Sequence, residues 1–273
     1  MLEYWNTERR CHLEGRAPSR PATTKRGPPE AIFPIIPPFP YSNIPAKLSA
    51  RKDLSMNLVF AREHDYLKDE ILRLAREVEI RLGNVLRSIS LREKETLEYL
   101  KEADSEIDEQ EVKIEEECLK ILALHQPVAK DLRFVIAILK INNDLERIGD
   151  IVANIADRGI RLSVYETPTL MGKITEMGKR VQTMLKESIY ALVSLDVKAA
   201  RDVIQEDDAV DQLNVDVIKG VVKGISETKT PEALLLIHSM SRDLERIGDH
   251  ATNIAEDVAY LVDGTIIRHV RIE

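Results

Sequence analysis

Apolar side chains recur at three- and four-residue steps along most of this chain. Leu67, Ile71, Leu74, Val78, Leu82, Val85 and Ile89 mark one face of a helix from Arg62 to about Ser88, since that spacing returns to the same side every turn. Ser90 with Glu93 three positions on reads as a capping box opening a second helix that runs to about Ala123. Pro127 reads as the first-turn proline of a third helix, ending near Arg161. The same order then repeats after Pro168. A helix spans about Leu170 to Val193, a second opens on Asp196 as N-cap and runs to about Ile225, and a third opens at Thr230-Pro231 and stops at Asp263-Gly264. Six helices in two triplets result, each roughly 40 to 50 Å long at 1.5 Å per residue. The pattern predicts an all-α fold of two tandem antiparallel three-helix bundles related by internal duplication. The expected domains are 56–165 and 166–273, after a proline-rich extension over 1–55.

That extension holds nine of the twelve prolines and the only Trp, with no helical or strand period, and is expected to be disordered. Met56 precedes the first regular pattern, so the stretch reads either as a start taken too far upstream or as a partner-binding tail.

Charge sharpens the picture. Of 273 residues, 32% are charged and only 4% aromatic, and the net charge is -8. The extension carries nine basic and five acidic residues, leaving the helical body with 30 basic against 42 acidic. Bulk charge therefore excludes nucleic acid and anionic membrane as partners and favours cations or basic surfaces. Cys11 and Cys118 are the only cysteines, which fits a reducing cytoplasm and no disulfide framework. No apolar run is long enough for a transmembrane helix.

The candidate chemistry is acidic and doubled. Glu146-Arg147-Ile148-Gly149-Asp150 returns as Glu245-Arg246-Ile247-Gly248-Asp249, 99 positions on. Residues four apart share a helix face, so Glu146 and Asp150 align, with Asn154 and Asp157 prolonging the stripe. Glu245, Asp249, Asn253 and Glu256 do the same in the second copy. The middle helices carry matching pairs, Asp104 with Asp108 and Asp207 with Asp211, followed by Glu111 and Glu115 in the first copy and by Asn214 in the second. Ile141, Leu145, Ile148, Val152 and Ile155 cluster opposite the stripe, which therefore points away from the bundle core. Like charges held this close raise each other's pKa unless a cation stands between them. Oxygen-only donors select hard ions, and no Cys or His converges to favour structural zinc. Gly149 and Gly248 cost helix stability, which close approach of a neighbouring helix or easier packing would explain. Arg147 and Arg246 are expected to pair with Asp144 and Asp243, and His125, His238 and His250 to be structural or exposed. Cys118 reads as a small buried hydrophobe.

The doubled motif, with His125-Gln126-Pro127-Val128-Ala129-Lys130-Asp131-Leu132-Arg133 ahead of it, resembles the PhoU family of phosphate-uptake regulators over about residues 57–270. The resemblance implies metal sites at Asp104, Asp108, Glu146, Asp150, Asp207, Asp211, Glu245 and Asp249, with Asn154, Asp157, Asn253 and Glu256 as additional candidates. It implies divalent or multinuclear metal, iron foremost, with Mn, Mg, Zn or Ca also open. A non-enzymatic cytoplasmic regulator is implied too, one that links the ATPase of the phosphate ABC transporter to a sensor histidine kinase and holds the phosphate-starvation response off, with homodimers in some members. Asn214, standing where the first repeat has Glu111, would weaken the second site. The rivals are a carboxylate-bridged di-metal bundle enzyme and a metal-free helical scaffold. The enzyme wants Glu-x-x-His pairs, and no Glu stands three residues before any His.

Overall fold

A computed structural model describes residues 46–102 and 105–264, with side chains from Val59 onward. Residues 1–45, and with them Cys11 and most of the expected disordered extension, lie outside the described residues. Asp104 does too.

Among the described residues all regular structure is helical: α1 Ala46–Leu91, α2 Lys94–Glu102, α3 Ser105–His125, α4 Ala129–Leu162, α5 Met171–Ser194, α6 Val197–Gly224 and α7 Pro231–Asp263. These are the six expected helices, the second in two pieces, α2 and α3, on either side of residues 103–104. Leu67, Ile71, Leu74, Val78, Leu82 and Val85 are all fully buried, as their spacing on α1 requires. That helix begins at Ala46 rather than Arg62 and takes in residues 46–55 of the expected extension.

The helix ends follow local chemistry, with two corrections. Asp196 accepts hydrogen bonds from the Lys198 and Ala199 amides, Pro231 sits in the first turn of α7 behind Thr230, and left-handed Gly264 closes α7. Ser90 makes no capping box, because α1 runs past it and its hydroxyl donates to the Leu86 carbonyl. Ser88, inside α1, donates to Glu93 Oε2 at 3.3 Å and ties the end of α1 to the start of α2 without capping either. Pro127 stands just outside α4, whose N-cap is Val128.

The described residues from Ala46 onward pack as one unit. Within each repeat the three helices surround a shared core, and between repeats α4 packs on α7 and α1 on α5, each helix against its own counterpart. Gly178 makes the second contact: a Cβ there would stand 2.7 Å from Leu86 Cδ2. A polar ladder crosses the α4–α7 seam. Lys140 pairs with Asp257 at 2.9 Å, Asp144 accepts from His250 at 2.7 Å and from Asn253 at 3.3 Å, and Arg158 pairs with Asp243. Partner numbers fall along α7 as they rise along α4, so the two helices run antiparallel.

The ladder overturns the expected Arg147–Asp144 and Arg246–Asp243 pairs. Both aspartates are buried, facing the other repeat where the exposed arginines of their own helix do not reach. A buried carboxylate must find a partner where it lies.

Candidate metal-binding patches

In the first repeat, α4 buries Ile141, Leu145, Ile148, Val152 and Ile155 and turns Glu146 and Asp150 toward α3, which supplies Asp108 and Glu111. Burial raises the Glu146 pKa, and Asp150, Glu111 and Asp108 push it further in the same direction against the Arg147 charge. Glu111 is raised by burial, then by Glu115 and Asp108, again against Arg147. The acids of two helices thus share one field. Arg147 lies over them, 3.3 Å from Glu146 and 3.4 Å from Asp150, and partly neutralises the patch.

In the second repeat Asp207 and Asp211 of α6 meet Glu245 and Asp249 of α7. Burial, then Asp249, Asp211 and Asp208, push the Asp207 carboxyl up to about 6, with the Thr252 hydroxyl acting the other way. Asp211 is raised by burial, Glu245, Asp249 and Asp208. Asp249 is raised by burial and Glu245, with His250 and Arg246 opposing. Asp207 Oδ1 is buried and, among the described residues, no donor meets it in hydrogen-bond geometry; the Thr252 hydroxyl is close enough only to favour its charge. A Cβ on Gly248 would stand 3.3 Å from that oxygen and 3.5 Å from Val210 Cγ1, so here the helical glycine admits a neighbouring helix and its carboxylate.

The remaining candidates lie elsewhere. Asn154 donates back to the Asp150 carbonyl, and Asp157 pairs with Lys101 of α2 at 2.7 Å. Both line a 650 Å³ cleft with Lys94, Arg158 and Arg161 rather than the acidic patch. Asn253 faces Asp144 across the seam, and Glu256 is half-buried on α7. Asn214 is buried, accepting from the Ser241 hydroxyl at 2.9 Å, so its side chain leaves the second patch to the aspartates. In the first repeat Asn142, at the place of Ser241, donates to Glu111, the residue at the place of Asn214, at 3.4 Å. His125 pairs with Glu63 at 2.5 Å, His238 is half-buried, and Cys118 is fully buried. Spacing alone overlooked Asp208 and Thr252; the run Glu206-Asp207-Asp208 was the available signal for the first.

Hard oxygen donors around a partnerless buried oxygen suit a divalent cation. Among the described residues, no three carboxylate, imidazole or thiol groups stand in ligating positions around one point.

Comparison with known proteins places both repeats. The family model described as "PhoU domain" matches residues 71–159 and 174–258. The chain is 36% identical over 213 residues to a phosphate-specific transport system accessory protein PhoU homolog of Pseudomonas aeruginosa, covering 77% of this chain and 88% of that one. It is 33% identical over 207 residues to PhoU homolog 1 of Thermotoga maritima, covering 75% and 89%. The crystal structure of PhoU from Pseudomonas aeruginosa matches with a TM-score of 0.73 over 76% of this chain and all of that one, at 36% identity. The phosphate transport system regulatory protein PhoU from Streptococcus pneumoniae matches with a TM-score of 0.71 at 28% identity, over 76% and 98%.

Proposed function

Because this chain belongs to the PhoU family, we propose that it is an accessory regulator of a phosphate-specific transport system. The observation that carries this reading is the match of both repeats, together with full-length relatives named for that role. In this reading the protein works in the cytoplasm, docks the ATPase of the phosphate transporter and a sensor histidine kinase, and restrains the phosphate-starvation response. No described helix is long and apolar enough to cross a membrane, so contact with the transporter would run through its cytoplasmic parts. Its chemistry is recognition and charge control rather than catalysis.

Asp207, Asp211, Glu245 and Asp249 would hold a divalent or iron cation in the second patch, and Asp108, Glu111, Glu146 and Asp150 in the first. A bound cation supplies positive charge that relieves carboxylate repulsion and draws α6 to α7, or α3 to α4. The second patch is the stronger site in this reading. Its buried Asp207 Oδ1 meets no donor in hydrogen-bond geometry among the described residues, and Asn214 is turned away, whereas Arg147 already closes on Glu146 and Asp150. That reverses the order expected from Asn214 alone.

Deleting the gene should raise phosphate uptake and phosphate-responsive transcription in phosphate-replete cells, and unchanged values would end the regulatory reading. Metal content is a separate question. Asp207→Ala with Asp211→Ala should lose more bound iron or manganese than Glu146→Ala with Asp150→Ala; equal content in both variants and the parent would remove the proposed ligands.

A further inference from the structure

The turns that lead from the first to the second helix of each repeat are built alike and filled differently. Arg92, between α1 and α2, and Leu195, between α5 and α6, both take left-handed backbone, with φ of 60° and 53°. Few residues other than glycine do so; Gln126 and Ala129 of the α3–α4 turn do as well, and it is their like place in the two repeats that makes the Arg92 and Leu195 turns counterparts. At the first, the Arg92 guanidinium plugs the space beside it, donating to the Ser163 carbonyl at 2.7 Å, to the Tyr165 carbonyl and to the Thr167 hydroxyl. Only about 50 Å³ is left there. At the second, leucine replaces the plug and a cleft of 340 Å³ opens between the repeats.

Its floor is apolar, formed by Ile71, Leu72, Phe134, Ile138, Leu192 and Leu261. Its rim is basic. Lys68 of α1 and Lys130 in the first turn of α4 line it, and neither forms an ion pair among the described residues. His64 stacks on Phe134 with ring centres 3.8 Å apart, and Asp131 is the single carboxylate in the lining. Beside the cleft, Arg133 Nε is buried with no hydrogen-bond partner among the described residues, its guanidinium carbon 3.4 Å from where a Cβ of Gly264 would stand. The N-terminus of α4 adds the positive end of a long helix, with no side chain capping it. Lys130, Asp131 and Arg133 belong to the segment ahead of the first acidic motif, and neither acidic patch uses them.

We propose that this cleft binds a small amphipathic anion, its alkyl or aryl body on the apolar floor and its carboxylate head between Lys68 and Lys130. The volume falls at the low end of small-molecule sites, which run from roughly 300 to 1,000 Å³. Inorganic phosphate would meet the same cations and leave the floor hydrated, so the apolar body separates this ligand from free phosphate. The site stands apart from both acidic patches and does not depend on their metal.

Decanoate, titrated into the full chain against bound 1-anilinonaphthalene-8-sulfonate, tests it. Decanoate should displace the dye, and decanol and inorganic phosphate should do so about tenfold less well or worse, because each lacks one half of the recognition. Leu195→Arg, which copies the plug of the other turn, should abolish binding. Lys68→Ala with Lys130→Ala, two solvent-facing changes that leave the core intact, should weaken it about tenfold. Glu146→Ala with Asp150→Ala should bind decanoate as the parent does. Failure of the parent to bind decanoate, equal binding by the double-lysine variant, or competition by phosphate as strong as by decanoate would each overturn the proposal.

Discussion

Gly248 of α7 faces Asp207 of α6 so closely that a Cβ on the glycine would stand 3.3 Å from the buried, partnerless Oδ1 of the aspartate. Alanine at 248 gains about 1 kcal/mol of helix propensity and loses part of it by crowding a side chain that can still rotate. Gly248→Ala should therefore melt within a few degrees of the parent while binding divalent cations more weakly at the second patch. Differential scanning calorimetry with and without manganese reads both effects. A variant with unchanged manganese stabilisation would show that the glycine serves packing alone.

Asp207 also sets a pH dependence. Its carboxyl is pushed up to about 6 in the folded chain and ionises near 3.9 when unfolded. The folded state thus holds the proton more tightly, so the group contributes stability below about pH 4 that is lost as pH rises through about 6. Asp207 is half-buried, and solvent screening brings the effect to roughly 1–2 kcal/mol. Glu111, Glu146, Asp211 and Asp249 are raised too and act in the same direction. Urea unfolding of parent and Asp207→Asn, compared at about pH 4 and pH 7 without divalent ions, should show the parent losing more stability on going to pH 7. Added manganese should stabilise the parent at pH 7 more than the variant, which keeps only the first patch whole.

Charged contacts in the seam and on the surface differ in weight. His250→Ala removes the 2.7 Å bond to buried Asp144 across the seam and should cost about 1–3 kcal/mol, since the carboxylate stays buried with Asn253 alone. Arg147→Ala breaks only surface pairs with Glu146 and Asp150 and should cost less than about 1 kcal/mol. The same change uncovers the first patch, so isothermal titration should show tighter manganese binding there than in the parent.

Cys118 is fully buried and its thiol is pushed up to about 12, by burial first and then by Glu117 and Glu115. Thiol reagents attack the thiolate. In a Cys11→Ser background the native protein should resist 5,5′-dithiobis(2-nitrobenzoate) at pH 8 and release one equivalent of thiolate once unfolded in guanidinium. Rapid labelling of the folded form would contradict the burial.

Sequence alone determined whatever depends on distance along one helix. The recurrence of Leu67, Ile71, Leu74, Val78, Leu82 and Val85 defined a buried face, Asp196, Thr230-Pro231 and Gly264 marked ends, and the doubled Glu-Arg-Ile-Gly-Asp put two acids on the outward side of α4 and α7. These are consequences of 3.6 residues per turn and of unpaired amides at helix ends. Tertiary structure alone decided which faces meet and in what register. It gave Asp144 to His250 rather than Arg147, Asp157 to Lys101, and Asn214 to Ser241 in the core, and it left the Leu195 turn open where Arg92 fills its counterpart. Helical spacing carries no register between partners a hundred residues apart; packing of the two repeats against each other imposes it.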